Sequence, residues 1–264
     1  MTDVDPFRVP AIYFPPDFVD DTHRERFTRA LSDLLLASGP INRAGSGVYF
    51  ADNLITIRRA MSFLEDQDFT TALQACARED RDLAIAWRTH VLCWAARSCL
   101  PLAGDFVECG TYRGYSAEVI CRFVAPHAAG KRFVLYDLFD PGEAEGVGHR
   151  LPSHGGALFA EVVARFQPYP GVQVVRGKVP DALPETAPER IAFLHLDMNN
   201  AAAEEGALRF LYDRIADGGM VVLDDYGWAF YGEQRIVADR LATERGQAIV
   251  ELPTGQGLLV KRAG

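Results

Sequence analysis

A chain of 264 residues with 48% apolar and 24% charged side chains has the composition of a globular protein of one or two domains, which excludes wholesale disorder. Its 27 Lys and Arg stand against 36 Asp and Glu, a net charge of −9, so neither nucleic acid nor an anionic membrane surface is an expected partner. No apolar run reaches the ~18 residues that suggest a membrane span. The N-terminal MTDVDPFRVP carries acids where a secretion signal carries positive charge, so a cytoplasmic location is expected. Cys76, Cys93, Cys99, Cys109 and Cys121 contain no CxxC pair and read as buried small residues, not as a disulfide framework or zinc site.

Residues 1–20, rich in Pro and Asp without a period, read as an arm or loop. From Asp21 to Ser38, Phe27, Ala30, Leu31, Leu34 and Leu35 recur at three-to-four spacing and predict a helix. The Gly, Pro and Asn of SGPINRAGSG (38–47) predict a loop. Two more helices are expected near 53–66 and 68–77. A fourth, from Arg81 to Cys99, carries Leu83, Trp87, Val91, Trp94 and Ala95 ahead of Pro101. Residues 1–100 are therefore expected to form an arm and a helical cap, not an independent module. The cap would cover a ligand pocket of the following domain, join a dimer, or do both, with Trp94 in its core.

From Asp105 short apolar runs alternate with amphipathic stretches. FVEC (106–109), RFVLYDLF (132–139), VQVVRG (172–177), IAFLHLD (191–197) and MVVLDD (220–225) predict strands. Helices are expected over 115–126, 156–167, 202–216 and 232–246. Two last strands, near 247–252 and 257–262, flank a Pro-Thr-Gly-Gln-Gly turn, so one strand should run antiparallel. Such alternation implies an α/β domain over 101–264, a mostly parallel sheet with helices on both faces. Ligands of such sheets bind beyond the carboxyl ends of the strands, where strand order reverses.

The first of these strands runs into Glu108-Cys109-Gly110-Thr111-Tyr112-Arg113-Gly114-Tyr115-Ser116. Gly110 permits a tight turn, and Gly114 permits a ligand to approach the backbone before a helix N-terminus. A plain turn gives the same pattern, and the third glycine of a dinucleotide fingerprint is missing. Asp137 ends the second strand, ~25 residues on, where an acid commonly holds ribose hydroxyls. Gly177 and Asp181 follow the third strand, either beside an adenine edge or as a turn with Asp181 capping a helix. Asp197 ends the fourth strand, and Asp224 and Asp225 the fifth. If these strands are neighbours, three carboxylates converge, and a hard cation such as Mg²⁺ or Ca²⁺ relieves their repulsion. The competing reading makes Asp225 a helix cap and Asp224 a solvated acid.

The run Gly104-Asp105-Phe106-Val107-Glu108-Cys109-Gly110-Thr111-Tyr112-Arg113-Gly114 resembles the first motif of the macrocin O-methyltransferase (TylF-like) family. So do His195-Leu196-Asp197-Met198-Asn199 and Gly218-Gly219-Met220-Val221-Val222-Leu223-Asp224-Asp225-Tyr226-Gly227-Trp228. Leu252-Pro253-Thr254-Gly255-Gln256-Gly257-Leu258 is similar to the closing hairpin of related chains, and Trp87-Arg88-Thr89-His90 to a helix ahead of the glycine turn. The resemblance covers residues 83–262.

It implies a class I methyltransferase (Rossmann-like) fold and S-adenosylmethionine as methyl donor. Glu108, Gly110 and Gly114 would line the methionine side of the cofactor, with Thr111, Tyr115 and Ser116 in the same turn, and Asp137 would take the ribose. Asp197, Asp224 and Asp225 would hold Mg²⁺, which orients a small-molecule acceptor, a sugar hydroxyl in well-known members. A homodimer or higher homo-oligomer is expected. The family's second acid, two residues after the first, is Asn199 here, and an amide cannot accept a proton. His195, on the same strand face as Asp197, could replace it as base or be a satisfied core histidine. His149 and His154 lie in the Gly-rich loop 141–156, placed as an active-site lid would be, and are otherwise solvated. Tyr226, Trp228, Phe230 and Tyr231 form either an acceptor wall or core.

Overall fold

The computed structural model describes residues 12, 16–139, 151 and 153–263. The chain forms two compact units, Met1–Trp87 and Arg88–Gly264.

The first unit opens with α1 (Asp21–Ala37), whose N-cap Asp20 accepts the His23 N–H at 2.8 Å. A hairpin follows, β1 (Gly47–Ala51) and β2 (Leu54–Arg59), then α2 (Gln67–Cys76) and α3 (Asp80–Ala84). The helix expected near 53–66 is thus replaced by a strand and a short 3₁₀ turn at Ser62–Leu64. Leu54, Ile57, Met61 and Leu64 do carry helical spacing. Turn chemistry overrides it: Asp52 and Asn53 both have positive φ (52° and 57°), as a two-residue hairpin turn of type I′ requires. The β-branched Ile55, Thr56 and Ile57 then favour extension. Asn42 completes the hairpin from outside. Its side chain accepts the Phe50 N–H at 2.7 Å and donates to the Phe50 carbonyl at 3.1 Å, standing in for another strand.

The helix expected from Arg81 to Cys99 is two helices. It breaks at Ile85 between α3 and α4 (Ala86–Ser98), and the Tyr49 hydroxyl donates to the Ala84 carbonyl the break exposes, at 3.2 Å. Trp87 packs edge-on to Tyr49, with ring centroids 5.0 Å apart, and lies 5.1 Å from Phe63.

The second unit is one seven-stranded sheet. Its strands are β3 (Asp105–Cys109), β4 (Phe133–Asp137), β5 (Val172–Arg176), β6 (Ile191–Leu196), β7 (Ile215–Leu223), β8 (Val250–Glu251) and β9 (Gly257–Val260). The order is β5-β4-β3-β6-β7-β9-β8, with β3 to β7 parallel and β9 antiparallel to both its neighbours. The intervening helices are α5 (Tyr115–Val119, prolonged by a π turn to Val124), α6 (Leu158–Phe166), α7 (Leu183–Thr186), α8 (Ala201–Leu211) and α9 (Gly232–Glu244).

Both faces of the sheet are covered, so Ile191–Leu196 is buried throughout. One face packs Val107, Cys109, Leu194, Leu196, Val221 and Leu223 against Leu208 and Leu211 of α8 and Ala238 and Leu241 of α9. On the other, the Phe106 ring meets Phe133 and Phe193 at 5.9 and 5.3 Å. Glu108 and His195 share that second face, directly paired in register. All five cysteines are buried and free, and Trp94, expected in the core, is 49% exposed. Among the described residues no helix is long and apolar enough to cross a membrane.

The chain builds β3, β4 and β5 outward to one side, then crosses back to lay β6 beside β3. That reversal sets the carboxyl ends of β3 and β6 at the switch point, where an α/β sheet binds its ligand.

Candidate active site

The turn from β3 into α5 needs its glycines. Gly110 has φ 93°, and a Cβ there would stand 1.8 Å from the Asp197 carbonyl oxygen. The ends of β3 and β6 therefore close on each other only with glycine at 110. Gly114 has φ 76°, and a Cβ would meet the Phe166 ring at 2.6 Å. The absent side chain at 114 is thus also what lets Phe166 of α6 pack on the turn.

Asp137 clamps the same turn. Its two oxygens accept the N–H groups of Tyr112 (2.6 Å) and Phe139 (2.7 Å), and each keeps a second lone pair for another donor. Thr111 Oγ1 is buried without a hydrogen-bond partner among the described residues, an open polar position beside the turn. Tyr115 and Ser116 open α5. The Tyr112 hydroxyl accepts the Ser153 N–H at 3.0 Å and its ring stands edge-on to His154, 5.2 Å away. His149, and 140–150 altogether, lie outside the described residues. Gly177 donates to the Asp137 carbonyl at 3.0 Å and abuts Ala182. Asp181 is exposed and does not cap a helix: the N-cap of α7 is Ala182, with no side-chain cap.

β6 and β7 are neighbours, so the acids at their ends meet. Ligand atoms of His195, Asp197 and Asp224 all lie within 4.8 Å of one another. Asp225 is outside that group, against the expected trio of aspartates. Consecutive residues leaving a strand diverge, and Asp225 faces Gln234 of α9 and Glu204 of α8.

Asp224 is held on every side. Arg88 Nη1 donates to Oδ2 at 2.5 Å and Gln256 Nε2 to Oδ1 at 3.0 Å. His195 Nε2 stands 3.6 Å from Oδ1, while its Nδ1 is 2.8 Å from Glu108 Oε2. The result is a buried row, Glu108–His195–Asp224–Arg88, with Glu108, His195 and Asp224 at most 3% exposed.

Burial alone would lower the His195 pKa, but hydrogen bonds and charge from Asp224 and Glu108 overcome it and raise it to about 10. The Glu108 and Asp224 carboxylates on either side of His195 favour its protonated form, and the ring is wholly buried between them. Burial would raise Asp224, and Arg88 and then His195 outweigh it, holding this carboxyl well below the usual range. Asp225 lies at the opposite extreme. Burial and then the Asp224 charge push it up to about 8. Burial, with Asp197 adding to it, likewise pushes Glu204 to about 8. Burial and then Asp224 and Asp225 raise Asp197 well above the ordinary value.

Five acids (Glu108, Asp197, Glu204, Asp224, Asp225) thus share a site with two bases, Arg88 and His195. Asp225 Oδ2 is buried with no hydrogen-bond partner among the described residues. An excess of buried carboxylate oxygen fits a hard divalent cation and a sulfonium. Arg88, Glu204, Gln234 and Gln256 were not expected as site residues. Trp87-Arg88 and the Gln256 turn stood out only as family-like runs. Glu204 had a signal, an acid on the buried stripe that continues as Ala207, Leu208 and Leu211. Asn199 adopts φ 51°, a left-handed conformation that Asn tolerates well, and Asn200 caps α8 through the Ala203 N–H at 2.9 Å.

Of the aromatic residues beyond these acids, Tyr226 is buried, its hydroxyl donating to Asp239 at 2.7 Å. Trp228 lies under the Arg88 guanidinium at 5.2 Å, and Phe230 is 59% exposed.

A sheet of this order, with the switch point between β3 and β6, is the class I methyltransferase (Rossmann-like) fold. Residues 107–226 match the family model described as a methyltransferase domain. A rhamnosyl-tetracenomycin-C 4'-O-methyltransferase of Streptomyces olivaceus is 30% identical over 138 residues, 47% of this chain and 53% of the relative. The chain therefore spans about half the length of that relative. In fold it is similar to the calicheamicin methyltransferase CalS11 (TM-score 0.54, 15% identity, 94% of this chain and 95% of that one). It is also similar to the S-adenosylhomocysteine-bound Podospora anserina methyltransferase PaMTH1 (TM-score 0.53, 12% identity, 95% and 99%). The motifs by which the sequence resembles the TylF-like O-methyltransferase family fall largely within the matched residues 107–226.

Proposed function

We propose that the protein transfers the methyl group of S-adenosylmethionine to a hydroxyl of a sugar or glycosylated natural product, with Mg²⁺ orienting the acceptor. The observation that carries this reading is the surplus of buried carboxylates at the switch point, with one Asp225 oxygen left unpartnered. The relative acting on a rhamnosyl group supports a sugar acceptor.

The glycine turn from Gly110 to Gly114 and Asp137 would bind the cofactor, with Thr111 Oγ1 offering it a hydroxyl. Asp197 and Asp224 would bind the cation, with the Asp225 carboxyl adjacent to them, and the cation when bound would lower the pKa of the acceptor hydroxyl and fix its direction. Asp197 is only partly buried, so an acceptor reaches it. From the end of β6 its carboxylate would stand beside the acceptor hydroxyl and could take its proton, the role Asn199 cannot fill. Arg88 and His195 keep Asp224 ionised throughout. Asn199 also favours a second reading, an acceptor such as a phenol that gives up its proton more readily.

The test is to incubate chelator-treated protein with labelled S-adenosylmethionine and either a rhamnosylated aromatic polyketide or a free phenol. Methylation of the sugar, lost with chelator and restored by Mg²⁺, is the expected result. Full turnover after chelation would refute the cation's role, and label on the phenol alone would favour the second reading.

A further inference from the structure

The turn Pro253–Gly257 has no part in the function proposed above, yet it reaches the centre of the acidic site. Gln256 is fully buried, and its Nε2 donates to Asp224 Oδ1 at 3.0 Å. Thr254, 6% exposed, donates its hydroxyl to Gln256 Oε1 at 3.0 Å. The carboxylate, which only accepts, decides which end of the amide faces it, and the Thr254 hydroxyl holds the other end in place.

The turn is itself locked to the segment after β7. Gly227 donates to the Gly255 carbonyl at 2.7 Å, and Leu252 to the Gln256 carbonyl at 2.8 Å. Gly255 has φ 83°, with the Trp228 indole 2.6 Å from where a Cβ would stand. A neutral amide in this place adds a directional hydrogen bond to a carboxylate that Arg88 already pairs, without adding a second positive charge.

We infer that Gln256, locked by Thr254, is a positioning residue that fixes the direction of the Asp224 carboxylate. The closing hairpin is then an arm of the active site as well as the edge of the sheet. This rests on the reading of Asp224 as part of the acceptor's cation site, and the experiment separates the two.

The variants are Gln256→Met, which keeps length and loses the amide, and Thr254→Val, which is nearly isosteric and acts only through Gln256. The double variant closes the cycle. Calorimetry measures binding of Mn²⁺ and, separately, of S-adenosylhomocysteine. Kinetics splits kcat from KM, and thermal unfolding monitors the fold. Outer partners of a metal ligand typically carry 10- to 100-fold in affinity or activity. Both single variants should lose about that much in Mn²⁺ affinity and kcat, while S-adenosylhomocysteine affinity stays within about two-fold. The double variant should be no worse than Gln256→Met, because the two residues act in series. Should Gln256→Met fail to fold, Thr254→Val carries the same comparison.

Wild-type kcat and Mn²⁺ affinity in both variants would overturn the inference. So would equal losses in cofactor and cation binding, the mark of a merely structural turn. Wild-type protein that binds no Mn²⁺, with kcat still lost in the variants, would refute the cation reading and leave the positioning role standing.

Discussion

Arg88 and Asp224 come from positions 136 residues apart and form the closest charge contact in the acidic site. Removing one partner of such a pair strands the other charge where water does not reach, which typically costs ~3–5 kcal/mol. Arg88→Met should therefore destabilise the second unit by about that amount, measured by denaturant unfolding. A change below ~1 kcal/mol would mean that His195 and Gln256 suffice to hold Asp224. Gly114→Ala tests a different residue-scale claim. The positive φ and the Phe166 ring both oppose a side chain at 114. The variant should lower both the melting temperature and S-adenosylhomocysteine affinity, since the turn must move. Loss of affinity with an unchanged melting temperature would show that position 114 meets the cofactor directly.

At the scale of elements, the hairpin in the first unit depends on Asn42. Asn42→Ala would leave the N–H and carbonyl of Phe50 without their side-chain partner in a buried position. An unsatisfied buried group costs ~1–3 kcal/mol, so amide exchange across Gly47–Arg59 should quicken by roughly ten-fold or more. Unchanged exchange would mean that the cross-strand pairs alone hold the hairpin. The same hairpin shows where the sequence was hard to read. Leu54, Ile57, Met61 and Leu64 fit a helix by spacing, and only the paired positive φ values of Asp52 and Asn53 decide against it. A signal two residues long competes poorly with one spread over a dozen. The strands of the second unit were legible because burial on both faces makes each an unbroken apolar run, as in Ile191–Leu196. The acids at strand ends were legible for the converse reason: Asp197 and Asp224 stand out after such runs. Arg88, Gln234 and Gln256 were not. Each reaches the site from an element remote in sequence, and nothing local distinguishes a buried amide or guanidinium from an exposed one.

The whole molecule carries a net charge of −9, and several of its acids are gathered where burial raises their proton affinity. That sets a direction for stability against pH. Glu204 and Asp225 have pKa values raised to about 8 from 4.5 and 3.8, so between those limits the folded state binds more protons than the unfolded state. Stability must fall as pH rises through that window. His195, raised to about 10 from 6.5, adds stability that is complete below 6.5 and is lost as pH rises to about 10. Asp224 runs the other way, but its window lies below 3.8. The cation-free protein should therefore lose melting temperature steadily from pH 6 to pH 9. A divalent cation bound at these acids replaces their protons, so its stabilising effect should grow over the same range. Calorimetric scans at pH 6.0 and 8.5, with and without Mg²⁺, check both halves. A larger Mg²⁺ shift at pH 8.5 is expected. An equal shift at both pH values would place the cation away from Asp225 and its neighbours, and a flat profile without cation would show that these carboxylates are not raised.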